Sequence, residues 1–342
     1  MMRPGPGADA GTNPSRDGAI AIRGRRRWVS LLVAGCVLAA AGYVIWLRSD
    51  TPGLPAAGDQ ASTDSAAYVR SIDGVARPLG VAVASDGKIY VTEGAGERNT
   101  RVFDQQGNQL LSLAPPNAEA GASVPVYVAI GPAQEAYVSD LGANAIHVFA
   151  PGGAYIRDVA PPPSETDGTW YPLGLAFAVD GSLFVTEVTP GKHRVMVFDP
   201  AGDLRLTFGK EGKGDGEFSF PNAVVVDRRG RIYVSDSNNG RVQVFDAAGK
   251  LAYKIEGRGD AGVGLPRGLA TDGRDRLYVA DTLSGLIRVY NVSGAPVLVY
   301  SFGDAAATDG AARYPNGLAL DAGGRLYVAD RENNRVQVWQ TR

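Results

Sequence analysis

Six prolines, Pro78, Pro125, Pro172, Pro221, Pro266 and Pro315, stand 45 to 49 residues apart along the chain. Each is followed twelve residues later by an aromatic (Tyr90, Tyr137, Phe184, Tyr233, Tyr278, Tyr327) and fifteen later by an acid (Glu93, Asp140, Glu187, Asp236, Asp281, Asp330). A repeat of this length marks supersecondary units that cannot bury their apolar faces alone and stack on their neighbours. The fourth unit reads as four short strands, Pro221 to Asp227, Gly230 to Asp236, Arg241 to Asp246 and Lys250 to Ile255, each alternating or β-branched and bounded by Gly, Asp or Asn. Six four-stranded sheets set radially cover one another's faces, so the predicted fold is all-β, a six-bladed propeller. Its last unit ends after a third strand, Arg335 to Trp339, and the strand-like run Tyr68 to Ile72 precedes the first proline. That run is predicted to supply the missing outer strand and protect the sheet edges.

The units in register resemble the NHL repeat family. Units four and six carry the resemblance most fully: Pro315-Asn-Gly-Leu-Ala-Leu-Asp321, Gly324-Arg-Leu-Tyr-Val-Ala-Asp330 and Asn333-Asn-Arg-Val-Gln-Val-Trp339 follow the family pattern almost throughout. It covers residues 67–342. Unit two departs with Ala145 and unit five with Leu286 where the pattern has arginine, and unit one lengthens the loop from Glu93 to Arg101.

The N-terminal part is of another kind. Residues 28–47 carry no charge, and twenty residues at 1.5 Å each span about 30 Å, a bilayer core. Six arginines precede them against Asp9 and Asp17, so the positive-inside rule places residues 1–27 as a cytoplasmic basic tail, 28–47 as an uncleaved transmembrane signal anchor, and 67–342 as an extracytoplasmic propeller. Residues 48–66, rich in Ala, Pro, Gly, Ser and Asp, read as a flexible linker. The alternative is a lipoprotein anchored at Cys36, the lone cysteine, within Val33-Ala-Gly-Cys36.

Charge bears on partners. The chain carries −2 in all; the tail accounts for +4 and the linker for −2, which leaves −4 on the propeller. That excludes a nucleic-acid partner, which requires a clearly basic domain or stripe.

Propeller topology places the prolines and acids on one face, here called the top, and the chain's entrance to the first strand on the bottom. The six recurring acids are expected to bond backbone amides or the following arginines, and the aromatics to pack between blades. Binding residues are expected where the units differ. Directly after the prolines come Leu79, Val126, Leu173, Asn222, Arg267 and Asn316, half apolar and half polar. With Tyr127, Trp170, Tyr171 and Tyr314 nearby, the candidate ligand- or partner-binding set is Asn222, Arg267, Asn316, Tyr127, Trp170, Tyr171 and Tyr314. Arg267 suits a carboxylate or phosphate.

No catalytic residue, metal or cofactor is assigned. The NHL resemblance also leaves an enzyme alternative. A zinc lyase like the peptidyl-hydroxyglycine lyases needs histidines after the repeat proline, whereas His147 and His193 are placed on third strands. A calcium lactonase like the gluconolactonases needs oxygen ligands from several blades, for which Glu93, Glu187, Asn222 and Asn316 are the candidates. The expected function is a membrane-tethered, non-catalytic binding scaffold for a protein or small-molecule ligand.

Overall fold

The computed structural model describes residues 65–116, 122–256, 262–303 and 310–342. Among them are six four-stranded antiparallel sheets and one two-stranded parallel pair. Five sheets are built from consecutive strands; blade four, for example, runs Pro221–Val226, Ile232–Asp236, Arg241–Phe245 and Leu251–Glu256. Blade six takes Pro315–Leu320, Arg325–Asp330 and Arg335–Thr341 from the C-terminus and its outer strand, Ala66–Asp73, from the other end of the described chain. The expected closure is therefore present, with a strand longer at both ends than the run Tyr68 to Ile72. The inner strands pack one on the next around a ring, and Pro315–Leu320 returns to Pro78–Val83. The anchor, tail and most of the linker lie outside the described residues; among the described residues no helix is long and apolar enough to cross a membrane.

The blades meet through their aromatics. Tyr90 of blade one packs with Val128 and Val138 of blade two, and Tyr327 of blade six with Val81 and Val91 of blade one. Side chains of this kind contribute about 2–3 kcal/mol each when fully buried. Tyrosine hydroxyls reach the bottom turns, where Tyr233, Tyr278 and Tyr327 donate to Asp227, Asp272 and Asp321 at 3.2–3.3 Å. Those aspartates in turn accept backbone N–H groups two and four residues on, as at Asp227 from Arg229 and Arg231, the local bonding that makes Asp a turn former.

At the top the recurring acid is a latch. Glu93, Asp140, Asp236, Asp281 and Asp330 each accept a backbone N–H from the segment before the repeat proline of their own blade, with Ala76 N–H to Glu93 at 2.9 Å and Ser219 N–H to Asp236 at 2.6 Å. Each also faces a cation on its third strand: Arg101, His147, Arg241, Arg288 and Arg335 respectively. Glu187 keeps the cation, Arg194 at 2.5 Å, but in its blade the backbone N–H of Tyr171 goes to Thr189 Oγ1 instead. The hydroxyl one residue before the acid stitches neighbouring blades: Thr92 donates to Val126 O, Ser139 to Leu173 O and Ser235 to Arg267 O, all at 2.7 Å. Such close approach explains the glycine two residues after the proline, since a Cβ at Gly268 would stand 2.1 Å from Asn316 O and one at Gly317 2.6 Å from Leu79 O.

Candidate functional site

The six residues that follow the prolines are all within 9% exposure. They form the inner wall of the ring's top, apolar along Leu79, Val126 and Leu173 and polar along Asn222, Arg267 and Asn316. Tyr127 holds the position that is glycine in four other blades, and its hydroxyl donates to Asn222 Oδ1 at 2.5 Å, reaching from blade two to blade four. Burial pushes its phenol well above the ordinary tyrosine range, so it stays a neutral donor. Asn316 has a structural bond as well: its Nδ2 donates to Leu79 O at 2.9 Å, which ties blade six to blade one.

Arg267 donates Nη1 to Asn316 Oδ1 at 3.4 Å and lies with its Cζ 5.5 Å from the centroid of the Tyr314 ring. A residue missed at the sequence level completes this group. Arg331 is 3% exposed and its Cζ lies 5.2 Å from the same ring. Burial, with Arg77 and then Arg267 nearby, pulls its guanidinium below the ordinary arginine range, Glu332 opposing. The signal for Arg331 was in the sequence, one place after the acid, where the other units carry Gly94, Leu141, Val188, Ser237 and Thr282.

One of the expected site residues lies in the core between blades. Trp170 belongs to the core between blades two and three, beside Phe198 and Leu175; the chain before the inner strand turns its indole to the neighbouring blade. Tyr171 is buried at 2% and joins strand to loop through its backbone, its carbonyl accepting Val188 N–H at 3.0 Å. The structure thus pairs Tyr127 with Asn222, and Arg267 with Asn316 and Tyr314.

Most of the oxygen donors considered for calcium are engaged within the scaffold. Glu93 is engaged by Ala76 N–H and Arg101, Glu187 Oε2 by Arg194, Asn222 Oδ1 by the Tyr127 hydroxyl, and Asn316 Oδ1 faces a guanidinium; Glu187 Oε1 is buried without a hydrogen-bond partner among the described residues. Among the described residues no group of three or more His, Cys, Asp or Glu is placed to hold an ion. His147 and His193 lie on the third strands of blades two and three, as expected, and do not converge. Several bottom-face charges are paired with one another, Arg231 with Asp227 and Asp275, Arg229 with Asp275, and Arg276 with Asp272, beside a cleft of about 620 Å³.

Blade two has an imidazole where the other blades present a guanidinium to the acid. His147 Nδ1 lies 2.6 Å from Asp158 and Nε2 3.6 Å from Asp140. Burial opposes the imidazolium, but the two carboxylates outweigh it and hold its pKa above 6.5. A raised folded pKa contributes stability that is complete below pH 6.5 and is lost as pH rises through the folded value. Melting curves between about pH 6 and about pH 9 should therefore fall more steeply for the native chain than for His147→Gln, which installs the residue of blades four and six. Parallel curves would contradict the assignment.

A family model for the SMP-30/Gluconolactonase/LRE-like region matches residues 128–342, more than half of the chain. The chain belongs to this family. Its propeller is also similar to segments of larger proteins: Protein lin-41 of Caenorhabditis elegans, 55% identical over 49 residues (14% of this chain, 4% of that protein), and the B-box type zinc finger protein ncl-1 of the same organism, 28% over 169 residues (46% and 20%). The E3 ubiquitin-protein ligase TRIM71 of Rattus norvegicus is 37% identical over 76 residues, which are 22% of this chain and 8% of that protein. The chain thus spans at most a fifth of these relatives' length. Among solved structures, a streptogramin B lyase superposes with a TM-score of 0.58 over 83% of this chain and 100% of that one at 13% identity, and virginiamycin B lyase from Staphylococcus aureus with 0.57 over 81% and 99% at 15%. For this SMP-30/gluconolactonase/LRE-like chain, such identities establish the propeller fold alone.

Proposed function

We propose that the chain is a membrane-tethered, extracytoplasmic scaffold that binds a protein or ligand by the top face of its propeller, without catalysis. The observation that carries this reading is the top of the ring, where most of the oxygen donors are taken up by the scaffold while the buried Arg267 and Arg331 each keep an Nε without a partner among the described residues. Polar groups left unsatisfied in a folded interior call for an explanation, and a ligand supplies one. The tether rests on the uncharged run 28–47 and the basic tail before it. Ala66 pairs with Thr341, whose N–H donates to Gly324 O in a bottom turn, so the first described strand starts on the bottom. That ncl-1 and TRIM71 carry the matched segment within much longer chains supports use as a binding module. Family membership favours a second reading, a metal-dependent lactonase or lyase, which predicts a bound divalent ion.

Site-specific photo-crosslinking on the full chain in its native envelope tests the face. A crosslinker at Glu97, exposed in a top loop, should yield a discrete product that Arg267→Ala diminishes, and one at Val179, 85% exposed in a bottom turn, should not. A product formed only from Val179, or one indifferent to Arg267→Ala, would remove the top face from the account.

A further inference from the structure

Resting on the top face as the binding face, we propose that Arg267, Arg331 and Tyr314 form a buried site for a doubly charged oxyanion of the phosphate-monoester class. The two guanidinium groups share one aromatic ring, at 5.5 and 5.2 Å from its centroid. Both side chains are more than nine-tenths buried, at 5% and 3% exposure. Arg267 Nε, Arg331 Nε and the Tyr314 hydroxyl each lack a hydrogen-bond partner among the described residues. Three orphaned donors therefore gather around one ring.

The charge is as unbalanced as the hydrogen bonding. Arg77 adds a third guanidinium, and the acid answering the three is Glu332, 2.6 Å from Arg77 Nη2 and 3.7 Å from Arg331 Nη1. The other acids close by in the repeat are engaged by the scaffold: Glu93 by Arg101, Asp281 by Arg288 and Asp330 by Arg335. Among the described residues three cations face one acid, a local charge of +2, with two of the cations buried and the third at the exposed rim. A buried cation without a counter-charge is costly, and forked guanidinium donors suit phosphate geometry. A single carboxylate leaves one charge unanswered, whereas a phosphate dianion answers both. Arg77 and Glu332, with side chains 40% and 31% exposed, form the lip through which the anion enters.

Calorimetric titration of the full chain in detergent at about pH 7.5 and fixed ionic strength, with inorganic phosphate, phenyl phosphate, acetate and chloride as separate titrants, tests the site. The expected result is saturable binding of the phosphates and none of acetate or chloride. Affinity should fall at least tenfold in Arg267→Met and in Arg331→Met, stay unchanged in Arg228→Met on the bottom face, and rise in Glu332→Gln, which removes the resident competitor. Tighter binding of phenyl phosphate than of inorganic phosphate assigns the site to a phosphorylated ligand, and the reverse order to free phosphate; either upholds it. Absence of saturable phosphate binding in the native chain overturns the site whatever the variants do, and so does binding unchanged in both arginine variants. Such a failure leaves the top-face reading to its own crosslinking result, so the two are separable.

Discussion

Replacing Asp236 by alanine is expected to cost about 3–5 kcal/mol of folding stability, the range for removing one partner of a buried ion pair. Asp236 is fully buried and holds four residues: it accepts Ser219 N–H at 2.6 Å, Asn239 Nδ2 at 2.9 Å, Arg241 Nε at 2.7 Å and Gln243 Nε2 at 3.1 Å. Without it Arg241, 7% exposed, keeps a charge in the interior with no carboxylate in direct contact; Asp215 lies 3.9 Å away and is itself largely exposed. The backbone before Pro221 loses its tie at the same time. Guanidinium unfolding of the full chain in detergent measures the loss as a lower midpoint. An effect below about 1 kcal/mol, the level of an exposed pair, would show that the latch does not support the blade.

The second large effect belongs to the closure. Trp339 sits where the two ends of the ring are joined, with its ring 5.5 Å from that of Tyr68 on the incoming strand and 4.7 Å from that of Phe302 on blade five. Its indole N–H donates to Gln337 Oε1 at 2.8 Å. Trp339→Ala removes the aromatic contact that links the incoming strand to blade five and is expected to cost about 3–5 kcal/mol. Because the strand Ala66–Asp73 is held at the end of the sheet, the same variant should show faster amide exchange along Ala66 to Asp73 than in blade three. Uniform exchange across both regions would mean that the closure is no weaker than the rest of the ring.

These effects arise from parts of the molecule that the sequence made visible. The proline, aromatic and acid recur because each does similar work from blade to blade: the proline starts an inner strand, the aromatic covers the next blade, and the acid, in every blade but the third, collects an N–H group from the segment before the proline. A missing fourth strand at one end and a spare strand at the other made the closure legible in the same way. The site was less legible because its residues break the repeat. Tyr127 reaches across the ring because it occupies a position where Gly80, Gly174, Gly268 and Gly317 have no side chain. Arg331 follows an acid at a place whose occupant changes from blade to blade, and its direction depends on the turn beyond Asp330. Strand periodicity does not say whether a side chain just outside a strand faces the axis or the adjoining blade, and Trp170 faces the blade.

The most direct measurement is the divalent metal content of the purified full chain, with its melting temperature taken before and after chelator. The top of the ring presents buried arginines and oxygens that are mostly engaged by the scaffold, so the expected result is no stoichiometric ion and an unchanged melting temperature. One tightly held ion per chain, whose removal lowers the melting temperature, would contradict the metal-free scaffold account and favour the metal-dependent reading.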